Sequence, residues 1–546
     1  MKSLFSPAVC RLLRPLPSLV GLCGILAGCQ EDILTERPQD FLNSDVVLVD
    51  RRGFESAITA LHDAARSELA PSDVINRQFH MQIGTDIATT GFAGNPDFVD
   101  YRTTLTPTQT SVDHYWDWAY LRMLPRANVI IEYAERPAAR WASEAEKNAI
   151  VAEARFFRAY TYNVLANLYG GVPIVDRVYN EPKLDFVRAT RQQVLAFAER
   201  DLVYAAQWLP LTTPLDGRIV RAAAQHLLSE VYLSLEQFDK SIESASAVIN
   251  SGQYQLMTNR FGRFTNQPGD VFSDLFRDGN LNRASGNREM IWNIQFEFQT
   301  PGGVSAEGQA NRWVRAWSPR YWDLRDPDNR LGMQVVDSLG RGVSWVRPTT
   351  FFLHDLWRTS GPNDLRNSPF NIRRTWFYNN PASRFFRQRV LPRANIDTMV
   401  TLFPMIRKIE GEYLAGATVG MTFKEYPIMR LAETYLLRAE AHLKNGDRQR
   451  AAEDINVVRN RARATPITAQ DVTLDFILDE RARELIVEEP RRRTLVRTGT
   501  LVDRVRRFNM RASTRNSIQD IHRWYPIPQR AIDANIGATL EQNPGY

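Results

Sequence analysis

The chain has 546 residues, 44% hydrophobic and 24% charged, with 68 Lys and Arg against 62 Asp and Glu and a formal charge of +6. That length builds a sizeable packed body of one or two closely joined domains. The cysteines are Cys10, Cys23 and Cys29, so everything beyond residue 29 is without a disulfide, a thiolate nucleophile or a thiolate metal ligand.

The N-terminus reads as an export signal. Lys2, Arg11 and Arg14 precede an apolar stretch from Leu16 to Ala27, too short and too interrupted to span a membrane. Leu26-Ala27-Gly28-Cys29 resembles the bacterial lipoprotein signal, which implies cleavage before Cys29 and acylation of its thiol. Acyl chains contribute about 0.8 kcal/mol per buried methylene, and two or more hold a protein on a bilayer where one would not. Gln30-Glu31-Asp32 resembles the acidic signal that sends lipoproteins of Bacteroidetes-like bacteria to the outer cell surface. Loss of residues 1–28 removes three positive charges and leaves +3, too balanced to argue for nucleic acid as a partner. The segments expected here are a signal peptide at 1–28 and a lipid-anchored tether at 29–50.

Helical periodicity dominates the next two hundred residues. Helices are predicted at 51–68, 113–136, 190–207 and, near the C-terminus, 472–489. In 152–175, Phe157, Tyr160, Val164 and Leu168 form a stripe that ends at Gly170-Gly171 and Pro173. Ala224, Leu228, Val231 and Leu235 recur on one helix, and Phe238, Ile242, Ala245 and Ile249 on the next. The same steps recur in Ala432, Leu436, Ala439 and Leu443, then, past Asn445-Gly446-Asp447, in Ala451, Ile455, Val458 and Ala462. Both pairs read as tetratricopeptide-type hairpins, although some two hundred residues separate them. An N-terminal helical region at 51–254 and a C-terminal one at 426–546 therefore flank residues 255–425. That middle region has little periodicity and reads as long loops with short strands.

The middle region is chemically distinctive. Seven of the twelve tryptophans fall between Trp292 and Trp376. Such rings either anchor loops onto helices or offer flat faces to a sugar whose hydroxyls meet Arg, Asn and Asp. For any single tryptophan the anchoring role is the first reading.

Six motifs in order resemble the SusD/RagB family of outer-membrane nutrient-binding lipoproteins. They are "AEARFFRAYTYNVLANLYGGVPIV", "GRIVRAAAQHLLSEVYLSLEQFDKSI", "EMIWNIQF", "YPIMRLAETYLLRAEAHLKNGDRQRAAEDINVVRNRA", "LDERARELIVEE" and "YPIPQRAIDANIGATLEQNPGY". The resemblance covers nearly the whole chain. It implies a mainly α-helical fold in which tetratricopeptide-like hairpins form a scaffold and a loop-rich region carries the ligand. It also implies a glycan or peptide ligand, a SusC-like TonB-dependent outer-membrane transporter as partner, anchorage facing the cell exterior, and no catalysis. Glu489-Pro490-Arg491-Arg492-Arg493-Thr494-Leu495-Val496-Arg497 departs from the family pattern, where Gly and aromatic residues are usual, and is expected to alter the surface and not the fold.

The family offers no ligand motif to transfer, so site residues rest on local composition. "NRWVRAWSPRYWDLRD" mixes Trp313, Trp317, Tyr321 and Trp322 with Arg312 and Arg315, a set suited to stacking and hydrogen bonding. An alanine at Trp317 is expected to weaken binding and spare the fold. Five arginines between Arg312 and Arg330 make an acidic glycan worth testing. "TTGFAGNPDFVDYRTT" contributes Phe92, Asn95, Tyr101 and Arg102, whereas Trp118, Tyr120 and Asn128 look like core.

Other chemistry is poorly supported. The seven histidines are scattered, no protease, hydrolase or phosphate-loop motif occurs, and neither metal nor cofactor is expected. "DLRDPDN" lacks the Gly and Glu of a calcium loop and reads as a polar turn. Arginines from Arg481 to Arg507 alternate with Glu480, Glu484, Glu488 and Glu489 and read as a solvated ion-pair face. A tetratricopeptide scaffold that binds only proteins, and a surface glycosidase, are the readings from other classes.

Overall fold

The structure, a computed structural model, describes residues 44–69, 77–91, 97–300, 310–393, 397–414 and 416–546. The expected signal peptide, Cys29 and most of the tether lie outside these residues. The chain divides after Val46 into two units, and the fold is that of the second, Val47–Tyr546.

Amphipathic spacing accounts for the helices. In α1 (Arg51–Leu69), Phe54, Ile58, Leu61 and Ala65 recur at steps of 4, 3 and 4 and are all buried. A helical rod begins at Thr110 and ends as α2 (Leu124–Ala134), with one π turn at Trp118–Met123 between them. Pro125 explains the turn: it has no N–H for the Leu121 carbonyl, and its ring crowds that carbonyl, so the backbone widens there. In α3 (Glu144–Leu168), Ser143 caps the start by accepting from the Glu146 N–H at 3.2 Å. Beyond Ala159 every residue of α3 is buried, so the helix is a central strut and not a one-sided surface helix.

The array continues through α4 (Arg191–Trp208), opened by a Thr190–Gln193 capping box, α5 (Arg221–Ser234) and α6 (Phe238–Ile249). Each helix packs on the next, from α2 to α6. The hairpin of α7 (Leu431–Lys444) and α8 (Arg448–Arg461), distant in sequence, docks α7 directly on α6 and so extends the same array. Leu233, Leu437 and Ala441 seal that junction together with Phe238 and Ile242. The mainly α-helical hairpin scaffold expected from the sequence is the fold observed.

The loop-rich stretch is fastened by three antiparallel strand pairs. β1 (Ala88–Thr89) pairs with β3 (Arg347–Pro348), and β4 (Ile372–Arg373) with β5 (Met405–Ile406). The longest joins β2 (Met290–Ile294) to β6 (Tyr426–Arg430), with a register shift at Trp292. β2 lies within the "EMIWNIQF" motif, and Trp292 makes edge contacts with Phe156, Phe157 and Tyr160 of α3. The loops are therefore one compact body with the helices.

The charged C-terminal segment corrects two expectations. α9 (Leu474–Leu485) ends short of residue 489, and Val487 takes a left-handed φ of 75° ahead of Pro490 and α10 (Arg491–Arg497). Arg481, Arg483, Arg491 and Arg492 and the carboxylates of Glu480 and Glu484 are almost fully buried, so this is neither a solvated face nor an altered surface. Pairing is what permits it. Arg366 meets Asp364, Glu480 and Glu484, and Arg430 meets Glu289, Glu484 and Glu488. Arg491 reaches back to Asp86 at 2.7 Å. The stretch that departs from the family pattern is thus buried, with Arg491 paired to Asp86 and Arg497 to Glu440.

Candidate ligand-binding site

The segment richest in predicted contacts folds as a five-residue helix, Trp313–Trp317, and a 3-10 turn, Tyr321–Asp323. Asn311 opens it, exchanging backbone hydrogen bonds with Thr422 and accepting from the Trp313 N–H at 2.9 Å. The strand-like segment from Arg341 to Val346 runs alongside. The N–H groups of Val343, Ser344 and Val346 donate to the carbonyls of Arg315, Ser318 and Ala316. Gly342 permits this approach: a Cβ there would lie 2.5 Å from the carbonyl oxygens of Ser318 and Pro319. Gly91 closes the other side, donating to the Ser344 carbonyl at 3.2 Å where a Cβ would strike the Ser344 hydroxyl.

Burial sorts the predicted residues. Trp313 stands edge-on to Tyr426 at 4.3 Å, Trp317 is 1% exposed, and Tyr321 stacks on Trp376 while its hydroxyl donates to the Gly340 carbonyl. These three rings are covered by protein and offer no face to a sugar, which corrects the expectation that they line the site and that Trp317 can be removed without harm to the fold. Tyr101 is likewise core, donating to the Gly84 carbonyl at 2.8 Å, and Arg102 is exposed but tied to Asp100. Phe92 and Asn95 lie outside the described residues. Arg312 is buried, which lowers its guanidinium pKa. Trp118 and Asn128 are buried as expected. Tyr120 is half-buried and, with Tyr179 and Phe186, lines a separate groove of about 460 Å³.

What remains is small and coherent. Of the seven loop tryptophans, six are buried; Trp322 is half-buried, its Nε1–H donating to the Gly342 carbonyl at 2.7 Å so that the ring is fixed. The guanidinium carbons of Arg341 and Arg320 stand 4.7 and 5.1 Å from its centroid. Arg320 is also bridged to Asp323 at 2.8 Å. Arg315 lies 5.5 Å from the centroid of Trp345 and donates to the Val419 carbonyl. Burial, with the like charges of Arg341 and Arg312 nearby, pulls Arg315 below the ordinary guanidinium value.

Composition around Trp322 and Arg315 pointed here, but the predicted contacts reached no further than Arg330. Arg341, Ser344 and Trp345 were missed, although "LGRGVSWVRP" repeats the Arg and Trp mixture that marked the first stretch. Asp326 confirms the polar turn: its Oδ1 accepts from the N–H groups of Asp328 and Arg330, and its Oδ2 from Ser383. Among the described residues no cluster of His, Asp or Glu is placed to hold a metal, and no helix is long and apolar enough to cross a membrane.

The chain as a whole is similar to known proteins. The SusD family model matches residues 368–546, and a second model, described as starch-binding associating with outer membrane, matches 53–233. The starch-binding protein SusD of Bacteroides thetaiotaomicron is 25% identical over 467 residues, covering 79% of this chain and 78% of its own. SusD-like protein P25 of Formosa agariphila is 25% identical over 455 residues, 78% of this chain and 77% of its own. In fold, the chain is similar to surface glycan-binding protein A of B. thetaiotaomicron, solved with laminarihexaose. That match has a TM-score of 0.68 at 20% identity over 90% of this chain and 99% of that one.

Proposed function

Because this chain belongs to the SusD family, we propose that it captures an oligosaccharide at the Trp322 face and delivers it to a SusC-like, TonB-dependent β-barrel transporter. It works from the outer-membrane surface, held there by lipid on Cys29. Relatives supply the ligand class: the matched family model and the SusD relative both carry starch binding in their descriptions.

The observation that carries the reading is Trp322 itself. A half-buried ring, fixed by its own N–H and with the guanidiniums of Arg341 and Arg320 over it, is a rigid platform whose accessible part can meet the C–H face of a sugar. Stacking of about 0.5–1.5 kcal/mol with a few hydrogen bonds gives modest affinity, which suits a protein that must release its cargo. This chain's residues then bind and orient the ligand and perform no bond chemistry.

Isothermal titration against panels of glycans and peptides tests the reading. Saturable glycan binding without product formation supports it, and Trp322→Ala is expected to weaken that binding about tenfold with an unchanged melting temperature. Binding of peptides alone, or hydrolysis of the glycan, overturns it. A pull-down from outer membranes that recovers no large β-barrel protein would count against the transporter.

A further inference from the structure

The arginines of the loop face are unlike those of the core. Arg315 and Arg341 are half-buried, yet among the described residues neither forms a salt bridge with a carboxylate; their contacts are the Val419 carbonyl and the rings of Trp345 and Trp322. Further along the same segment, Arg347 and its neighbour Arg511 also meet no carboxylate among the described residues, their hydrogen-bond acceptors being carbonyl, hydroxyl and sulfur atoms. Burial lowers Arg347 to about 10, with Arg511 adding like charge. The one acid beside Trp322 in these contacts, Asp323, is taken by Arg320.

Two half-buried cations that no carboxylate neutralises make a strong local field for an anion. A guanidinium fork also matches the paired oxygens of a carboxylate or a sulfate. The backbone just after Arg341 is held in an unusual state: Ser344 has a φ of 61°, and its buried hydroxyl has no hydrogen-bond partner among the described residues. Left-handed backbone at a non-glycine residue and an orphaned hydroxyl are both features that gather where a ligand completes the structure.

We propose that the ligand of this face is an anionic oligosaccharide, its uronate carboxylate or sulfate ester held by Arg315 and Arg341 while an adjoining sugar ring lies against Trp322. This rests on the glycan reading above and specifies the charge of the glycan. Arg315 and Arg341 are binding residues in it, and Trp345 positions Arg315.

The test is calorimetry on the full-length protein with matched ligand pairs, at low and at raised salt. One pair is an oligogalacturonate and its methyl ester; the other is a neutral β-glucan oligomer and its sulfated form. The anionic member of at least one pair should bind about tenfold tighter or better than its neutral partner, with the gap narrowing as salt rises. Arg341→Gln should remove most of that gap, read as the ratio of anionic to neutral affinity within each pair whatever its effect on the neutral member, and Arg315→Gln should do the same. Preference confined to one pair identifies the anion and supports the proposal. Equal binding of both members of each pair, or an anion preference that survives Arg341→Gln, overturns the proposal and leaves the glycan reading standing. Absence of binding in both pairs and in the wider glycan panel overturns both. If Arg315→Gln fails to fold, the half-exposed Arg341→Gln decides the matter alone.

Discussion

Two sets of arginines show how one residue type is put to opposite uses in this molecule. In α8 to α10 and the segments packed on them, Arg366, Arg430, Arg459, Arg461, Arg481 and Arg491 are almost fully buried, and each meets at least one carboxylate. On the loop face, Arg315 and Arg341 meet none among the described residues. Burial acts to lower the pKa in both places. At Arg430 the carboxylates of Glu488, Glu484 and Glu289 outweigh burial and the value rises well above normal, whereas at Arg315 it falls. Arg492 is an exception within the core block: it is held by the His522 carbonyl and by the rings of Phe98, Tyr101 and Tyr525. The contrast is between buried arginines whose charge is matched, which are architecture, and the half-buried pair left unmatched beside Trp322, which the proposal above gives to a ligand.

The contrast is undone most violently at Glu484, which accepts from Arg366, Arg430 and Arg461. Glu484→Ala leaves three buried guanidiniums each short of one carboxylate, although Asp364, Glu480, Glu289 and Glu488 still pair with them, and a loss of about 5 kcal/mol is expected, at the top of the range for breaking a buried pair. Urea denaturation would register it as a collapse in midpoint, or expression would yield no folded protein. Next comes Trp317→Ala, which removes a fully covered ring and should cost about 3–5 kcal/mol in the same assay. Retention of near-native stability there would mean that the ring is not the anchor it is taken to be.

A third effect is set by pH. Glu425 is pushed up to about 7 from 4.5 by burial, with Asp278 and Asp216 adding like charge, and among the described residues its Oε2 has no hydrogen-bond partner. Between pH 4.5 and 7 the folded state keeps a proton that the unfolded chain has lost. This contribution to stability is therefore complete below 4.5 and falls as pH rises through 7, by on the order of 3 kcal/mol. Glu425→Gln should flatten that part of the stability profile measured by denaturation at a series of pH values; a profile of unchanged slope would contradict the assignment. Smallest of all is Arg341→Gln, which breaks no salt bridge and should stay within about 0.5 kcal/mol of the parent in stability. A large loss there would place Arg341 with the structural arginines and erase the distinction.

Much of the scaffold was legible because its signals are local. The stripes Ala224 to Leu235 and Ala432 to Leu443 are set by the 3.6-residue period, and the helices formed where those stripes lie. The site was legible only in outline. "NRWVRAWSPRYWDLRD" named the right neighbourhood, but composition could not tell Trp322, half-exposed, from Trp317, buried five residues earlier. That choice depends on Gly342 and the segment it carries against the carbonyl of Ser318, a contact between stretches more than twenty residues apart.

By itself the sequence determined the class of the molecule: helical hairpins, a tryptophan-rich stretch of loops between them, a cysteine-free body, and the order of motifs that marks the family. Only the tertiary structure decided which arginines are matched and which of the loop tryptophans stays half-buried. Arg491 finds Asp86 across 405 residues and Arg430 finds Glu289 across 141, so the alternation of Arg and Glu in α9 said nothing about whether those charges face water or each other. The physical reason is that helical period is written in steps of three and four residues. Neutralisation of a buried charge is settled by whichever carboxylate the fold brings within reach.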